Sequence, residues 1–432
     1  MRNHFRTPRM RRLRFLAAHL GAFHLKNMTA EPVDAQDGSV RQVRLLGREV
    51  VNFGSGNYLG LDRHPAVTEA AIDGLRRLGH HPGSSRIFYS QENCLLLEKE
   101  LAELVGAEAS MVCVNVAQTH QGAIPALFGD KSSTIFVDRY AHTTLYLAAM
   151  IAKSRGARVV NVDTRDEEDL RRKMTRERRA NNVLLIDGVY SMQGELPRIP
   201  ALQALCDELK AVLYIDDAHG IGILGDRGGG VAELFNLRYD NLIVVGSLQK
   251  GLACFGGFIA ARAEVIEFLR MTSTSYIFSG PLQPHTVESV RAAVKVCRSD
   301  EGRALRALLL EKSARIRDSL RGMGYQVDEH PTPIIAVPIG GDVDTMMSGR
   351  KVFDQGVFVN SVVFPAVPKG EGILRITVNS IHTEAEIARL LESFADLKRY
   401  RSERGGRVRR SMHHLAEMVK ARVMGESYTG LR

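Results

Sequence analysis

Lys250 lies in Val244-Val-Gly-Ser-Leu-Gln-Lys-Gly-Leu-Ala-Cys-Phe-Gly-Gly257, and one apolar run upstream stands Tyr214-Ile-Asp-Asp-Ala-His-Gly220. An acid at a strand end, a histidine three residues on and a lysine after the next strand are the parts of an aldehyde-cofactor site. The amine of Lys250 would form a Schiff base with pyridoxal 5′-phosphate (PLP). Asp216 would hold the pyridine nitrogen protonated, so that the ring accepts electrons. Gly, Ala and Phe around Lys250 imply burial, which lowers the pKa of an ammonium and leaves a nucleophilic amine. His219 is either a core histidine or a ligand contact, and its spacing from Asp216 favours a shared ligand. His142, in Asp138-Arg-Tyr-Ala-His-Thr-Thr144, either opens a helix or faces that ligand. Arg375 sits inside the apolar run Ile373-Leu-Arg-Ile-Thr-Val378 and wants a carboxylate, structural or belonging to an amino-acid substrate.

The elements that must position these residues alternate. Apolar runs at 43–46, 50–53, 109–114, 134–137, 158–162, 182–187, 211–216, 242–246 and 257–261 read as strands. Helical periodicity separates most of them, at 66–78, 94–105, 120–128, 144–154, 166–177 and 199–209. Alternation of this kind predicts an α/β fold with a mainly parallel sheet covered on both faces. Ligands of such sheets sit at the carboxyl ends of strands, where Asp187, Asp216 and Ser247 fall. From about residue 284 a smaller α/β domain is expected, with helices at 286–298, 303–323 and 383–398 and strands at 325–327, 334–338, 357–359 and 374–378. The chain then divides into a basic N-terminal segment (1–42), a large domain (43–285), a small C-terminal domain (286–400) and a basic tail (401–432) that carries a last helix at 407–423.

Composition narrows the function classes. The net charge is +9, but residues 1–30 carry +7 and residues 401–432 carry +5, so the body is mildly acidic at −3. Such tails are solvated ends or contacts for an anionic partner. They have no interleaved aromatics, which ranks nucleic-acid binding last. The N-terminal arginines suit an amphipathic helix better than a cleaved leader, since a clean small-residue cleavage site is missing. No stretch reaches the roughly 20 apolar residues of a membrane helix. Five scattered cysteines with no CxxC pair favour reduced thiols in the cytoplasm. Gly220-x-Gly222-x-x-Gly225 matches a dinucleotide fingerprint, but it continues into Asp226-Arg-Gly-Gly-Gly230 instead of a helix, and the acid expected after the next strand is missing. His80-His81 lacks the spacing of a third metal ligand.

An ordered set of short motifs runs through residues 50–398. It comprises Asn57-Tyr-Leu-Gly-Leu61, Gly83-Ser-Ser-Arg86, Ser191-Met-Gln-Gly194, Asp216-Asp-Ala-His-Gly-Ile-Gly222, Tyr276-Ile-Phe-Ser279, Pro365-Ala-Val-Pro368 and Leu374-Arg-Ile376. In this order they resemble the α-oxoamine synthases. The resemblance implies a fold-type-I PLP-dependent transferase, a homodimer with shared active sites, and decarboxylative condensation of an amino acid with an acyl thioester of CoA or an acyl-carrier protein. It matches Lys250 to the Schiff-base lysine and Asp216 to the pyridinium partner. His219 and Ser191 match contacts to the ring phenolate oxygen, and His142 the imidazole stacked on the ring. Ser247 and the turn at Val116-Ala117 match the phosphate site, with Ser279 reaching the other subunit's phosphate. Asn57 and Arg375 match the substrate-carboxylate contacts. Rival readings are an aminotransferase or lyase on the same fold, and a non-catalytic subunit of a heteromer. The phosphate turn departs from the family pattern, reading Asn115-Val-Ala-Gln-Thr-His120, with His120 where the family has Asn. Residues 164–166 depart as well, which implies a divergent substrate in a lipid or specialised biosynthetic pathway.

Overall fold

The computed structural model describes residues 40–364 and 366–404. The helices expected in the two basic tails lie outside the described residues. The strands are β1 (Gln42–Leu45), β2 (Arg48–Asn52), β3 (Ala109–Cys113), β4 (Ser133–Asp138), β5 (Arg158–Val162), β6 (Asn181–Asp187), β7 (Val212–Asp216), β8 (Leu242–Ser247), β9 (Gly257–Ala261), β10 (Ile334–Gly340), β11 (Val357–Phe358), β12 (Asn360–Val362) and β13 (Gly372–Thr377). Seven of them form one sheet in the order β3-β9-β8-β7-β6-β4-β5, in which β9 alone runs against its neighbours.

The period of two explains why β6, β7 and β8 are unbroken apolar runs. Leu184, Ile186, Leu213, Ile215 and Val244 turn to one face and meet the helices at Glu92–Val105, Ile199–Glu208 and Pro284–Arg298. Val183, Leu185, Tyr214, Ile243 and Val245 turn to the other and meet the helices at Val116–Phe128, Thr143–Ser154 and Ala263–Thr272. A sheet buried on both faces has no side for polar residues except its ends. Polar groups therefore gather where the parallel strands stop. Asp187 of β6 pairs in register with Asp216 of β7, and β8 ends beside them at Ser247.

The C-terminal part builds a second sheet, β10-β13-β12, flanked by helices Asp300–Gly322, Asp342–Asp354 and Glu384–Arg404. The helix at 342–354 was not expected, because its Gly, Ser and Asp content gives a weak helical signal. Burial of Met346, Val352 and Phe353 holds it in place. The strand expected at 325–327 does not form. Tyr325 is buried there through its ring against Phe394 and its hydroxyl, which donates to the Phe394 carbonyl at 2.8 Å. The third sheet joins an early and a late stretch of the chain: β1 pairs with β2, and β2 pairs in parallel with β11. Residues 42–52 thus share a sheet with residues 357–358. Among the described residues no helix is long and apolar enough to cross a membrane.

The glycine-rich stretch after β7 has a structural purpose. A Cβ on Gly220 would stand 2.1 Å from the Asp217 carboxyl, and one on Gly230 would stand 1.9 Å from it. These glycines close around a fully buried Asp217, whose Oδ2 accepts from Val231 N at 2.7 Å. The next helix starts only at Gly230, so the stretch has no helix to offer a dinucleotide.

Candidate active site

The Lys250 loop leaves β8 at Ser247 and returns at Gly257 to begin β9. It is pressed against the loop that follows Asp216. A Cβ on Gly251 would stand 2.3 Å from the Ile221 carbonyl, and Gly222, at φ 84, would reach Gly251 at 3.0 Å. Only two bare backbones can pass this closely. Lys250 is partly buried. Burial lowers its amine below the ordinary lysine range, Asp216 opposes that shift and Arg375 adds to it.

Asp216 is 4% exposed, and both carboxyl oxygens are held. Oδ1 accepts from Ala218 N at 3.1 Å, and Oδ2 lies 2.8 Å from Nε2 of His120, whose Nδ1 lies 3.0 Å from the Tyr214 hydroxyl. Burial works to raise this carboxyl, but His120, Lys250 and His142 outweigh it and hold the group below the usual carboxylate range. Its register neighbour Asp187 moves the other way. Burial and the nearby Asp216 charge raise Asp187, even though it accepts from His142 N at 2.9 Å.

A second chain of contacts runs from His219 to Arg375. His219 Nδ1 lies 2.6 Å from the hydroxyl of fully buried Tyr58. Burial pushes that phenol up to about 12, with Arg375 opposing, so it stays neutral. His219 is lowered well below its ordinary value by burial, then by Lys250 and Arg375. A neutral ring that takes the Tyr58 proton at Nδ1 carries its own hydrogen on Nε2. Arg375 donates Nε–H to the Ser191 carbonyl at 2.6 Å and Nη1–H to Thr377 Oγ1 at 3.0 Å. It therefore binds Ser191 through the backbone. Asn57 is buried, its amide nitrogen donates to Asp62, and its Oδ1 has no hydrogen-bond partner among the described residues.

At the rim, His142 caps the helix Thr143–Ser154 and accepts from Thr144 N at 3.4 Å. It opens a helix, one of its two expected readings, and Asp216 and Lys250 are near enough for their charges to act on its ring. Although the residue as a whole is exposed, partial desolvation of the imidazole lowers it. Asn115 caps the helix that starts at Val116, accepting from Gln118 N at 2.8 Å. The Val116 and Ala117 N–H groups, at the first turn, have no intrahelical acceptor. Ser247 is buried, its Oγ accepts from Gln249 N at 3.2 Å, and Ser279 Oγ stands 3.5 Å from Gln118 Oε1.

These residues suit PLP. They offer a primary amine with a lowered pKa, a held carboxylate, a neutral imidazole that keeps one N–H and a helix N-terminus for a dianion. Among the expected site residues, the electrostatic and hydrogen-bond contacts draw Lys250, Asp216, His219, His142, Arg375 and Ser191 into one crevice. Among the described residues, Ser279 is tied through its hydroxyl only to Gln118 and to its own neighbour Gly280. Sequence reasoning passed over Tyr58, placed Asp187 at a ligand-facing strand end without giving it a role, and met His120 only as a departure from pattern. Their signal was weak, since each partner lies far away in sequence, as His120 and Asp216 do at 96 residues.

Comparison with known proteins agrees with this geometry. Residues 48–394 match the family described as aminotransferase class I and II. An 8-amino-7-oxononanoate synthase of Geobacter sulfurreducens is 36% identical over 81% of this chain and 89% of its own. That of Methylococcus capsulatus is 31% identical over 87% and 94%. Among solved structures, serine palmitoyltransferase of Sphingomonas wittichii superposes with a TM-score of 0.84 at 26% identity, covering 90% of this chain and 96% of that one. Serine palmitoyltransferase from S. paucimobilis with bound PLP–myriocin gives 0.83 at 24% identity, over 90% and 97%.

Proposed function

Because the chain belongs to the aminotransferase class I and II family, and within it to the PLP-dependent α-oxoamine synthases, we propose that it condenses an amino acid with an acyl thioester. The thioester is carried by CoA or an acyl-carrier protein. Carbon dioxide and the free thiol leave, and the product is an α-amino ketone. The relatives' own name describes such a group, an amine on carbon 8 beside a ketone on carbon 7. The observation that carries this reading is the convergence of Lys250, Asp216, His219 and Arg375 where the parallel strands end.

When bound, PLP supplies a sink for the electron pair left on the amino acid's Cα. With PLP in place, Lys250 would be the residue that holds it, and its amine would take the Cα proton as general base. Asp216 holds the proton on the pyridine nitrogen. His219 donates Nε2–H to the phenolate oxygen, helped by Ser191. His142 would help to hold the cofactor and would donate to the thioester oxygen. Arg375 binds the amino-acid carboxylate with the guanidinium donors left over from Ser191 and Thr377, and Asn57 adjoins it. The helix N-terminus at Val116 and Ala117, with Ser247, takes the phosphate, and Ser279 serves the phosphate of a second copy.

Exposed Phe278, Phe88 and Met271, at 83%, 79% and 71%, support a homodimer that covers them. Five free thiols support a cytoplasmic enzyme. The test is to incubate PLP-loaded protein with each proteinogenic amino acid, record which one exchanges its α-proton, and then add thioesters. Stoichiometric thiol and CO₂ release is expected. Turnover without thiol release would identify an aminotransferase or lyase, and a colourless protein would identify a non-catalytic subunit.

A further inference from the structure

Asp216 and Asp187 stand side by side in register, both buried, at the ends of β7 and β6. Two neighbouring carboxyls in a water-poor site do not both ionise unless something compensates one of them. His120 is the residue that discriminates. It is fully buried on the helix that opens at Val116, and its Nε2 reaches only the Asp216 side, at 2.8 Å. A carboxylate has no hydrogen to give, so His120 Nε2 must carry one, whether the ring is neutral or charged. On the far side, Tyr214 Oη at 3.0 Å occupies Nδ1 and fixes the ring plane. Tyr214 is fully buried on β7, two residues before Asp216, so the chain closes back on the strand it started from.

We propose that the buried Tyr214–His120–Asp216 chain is the positioning device that keeps Asp216, and not Asp187, as the carboxylate facing the cofactor's pyridine nitrogen, with His120 as its central positioning residue. This rests on the reading of Asp216 given under Proposed function. The other charged groups that face Asp216 are Lys250, His142 and Asp187. Lys250 is committed to the cofactor and His142 lies at the rim, so neither replaces a fixed donor from beneath. Without His120, Asp216 takes up a proton of its own, and the ring nitrogen loses its charged partner.

The experiment reconstitutes apo-protein with PLP carrying 15N at the pyridine nitrogen. It compares wild type, His120→Leu, His120→Asn and Tyr214→Phe by 15N NMR at neutral pH and by PLP titration. Wild type is expected to show a protonated nitrogen. In H120L the resonance moves to the unprotonated position and PLP binds about tenfold to a hundredfold more weakly. H120N restores the protonated resonance, since an amide can still donate to Asp216. Y214F moves the resonance part of the way. Folded H120L with an unmoved resonance and unchanged affinity overturns the proposal. If H120L fails to fold, an unmoved resonance in Y214F does so. Wild-type protein that takes up no PLP overturns the parent reading as well, whereas uptake with variants that all behave like wild type overturns this inference alone.

Discussion

The floor and the lip of the crevice are built differently. On the floor, Asp216, His120 and Tyr214 are almost without solvent contact, and both Asp216 oxygens and both His120 nitrogens have partners within the chain. At the lip, His142 is exposed and Ser279 follows a phenylalanine that is 83% exposed, and between floor and lip the buried Asn57 oxygen has no partner among the described residues, a cost that a bound ligand would remove. Buried polar groups are costly unless they are paired, so the floor has to be finished when the chain folds. The lip carries no such demand and can leave groups for ligands or for a second copy to complete. On the proposed reading, the cofactor end is thus set in advance, and the substrate end is left open for specificity.

The contrast can be broken at its floor first. Lys250→Ala is expected to abolish the yellow colour and lower turnover by about a thousandfold or more, followed as thiol release. Asp216→Asn keeps the shape and loses the charge. It should cost about a hundredfold in kcat. Moving outward, Arg375→Ala should raise KM for the amino acid about tenfold to a hundredfold while kcat changes less. A fall in kcat at constant KM would instead assign Arg375 to holding the Ser191 backbone. At the lip itself, Phe278→Asp should weaken self-association about tenfold or more in sedimentation runs, with a milder loss of activity.

The smallest effect on chemistry belongs to a residue outside both regions. His382 stacks on Phe53 at 4.0 Å between centroids, and burial lowers its imidazole to about 4. The folded form therefore prefers neutral His382. Its contribution to stability is complete above the unfolded pKa near 6.5 and is lost as pH falls from there towards 4, about 3 kcal/mol in all. Urea melts of His382→Gln and wild type should converge between pH 6.5 and 4, with turnover at neutral pH unchanged.

The sheet was legible because β6, β7 and β8 are long enough, and apolar enough, to exclude other readings. Lys250, Asp216 and His219 were legible because strand ends alone decide where they go. The contacts among residues were not. Tyr58 reaches His219 across 161 residues, and nothing in either stretch of sequence names the other. The helix at 342–354 escaped because packing, not propensity, makes it. The run at 325–327 misled because its one buried residue, Tyr325, is held by a ring contact and a hydroxyl hydrogen bond without strand pairing. His120 stood out in the sequence as an oddity, but only the fold gave it a partner.

The pairing of β2 with β11 sets an order of events during synthesis. Every strand of the large sheet lies within residues 109–261, so a ribosome can deliver all seven before the last third of the polypeptide exists. The strand that leads into Asn57 must wait for Val357 and Phe358, some three hundred positions later, and long closures of this kind come late. A nascent chain would therefore have the strands around Lys250 well before it could grip a substrate, and a polypeptide released short of residue 357 would remain in that condition.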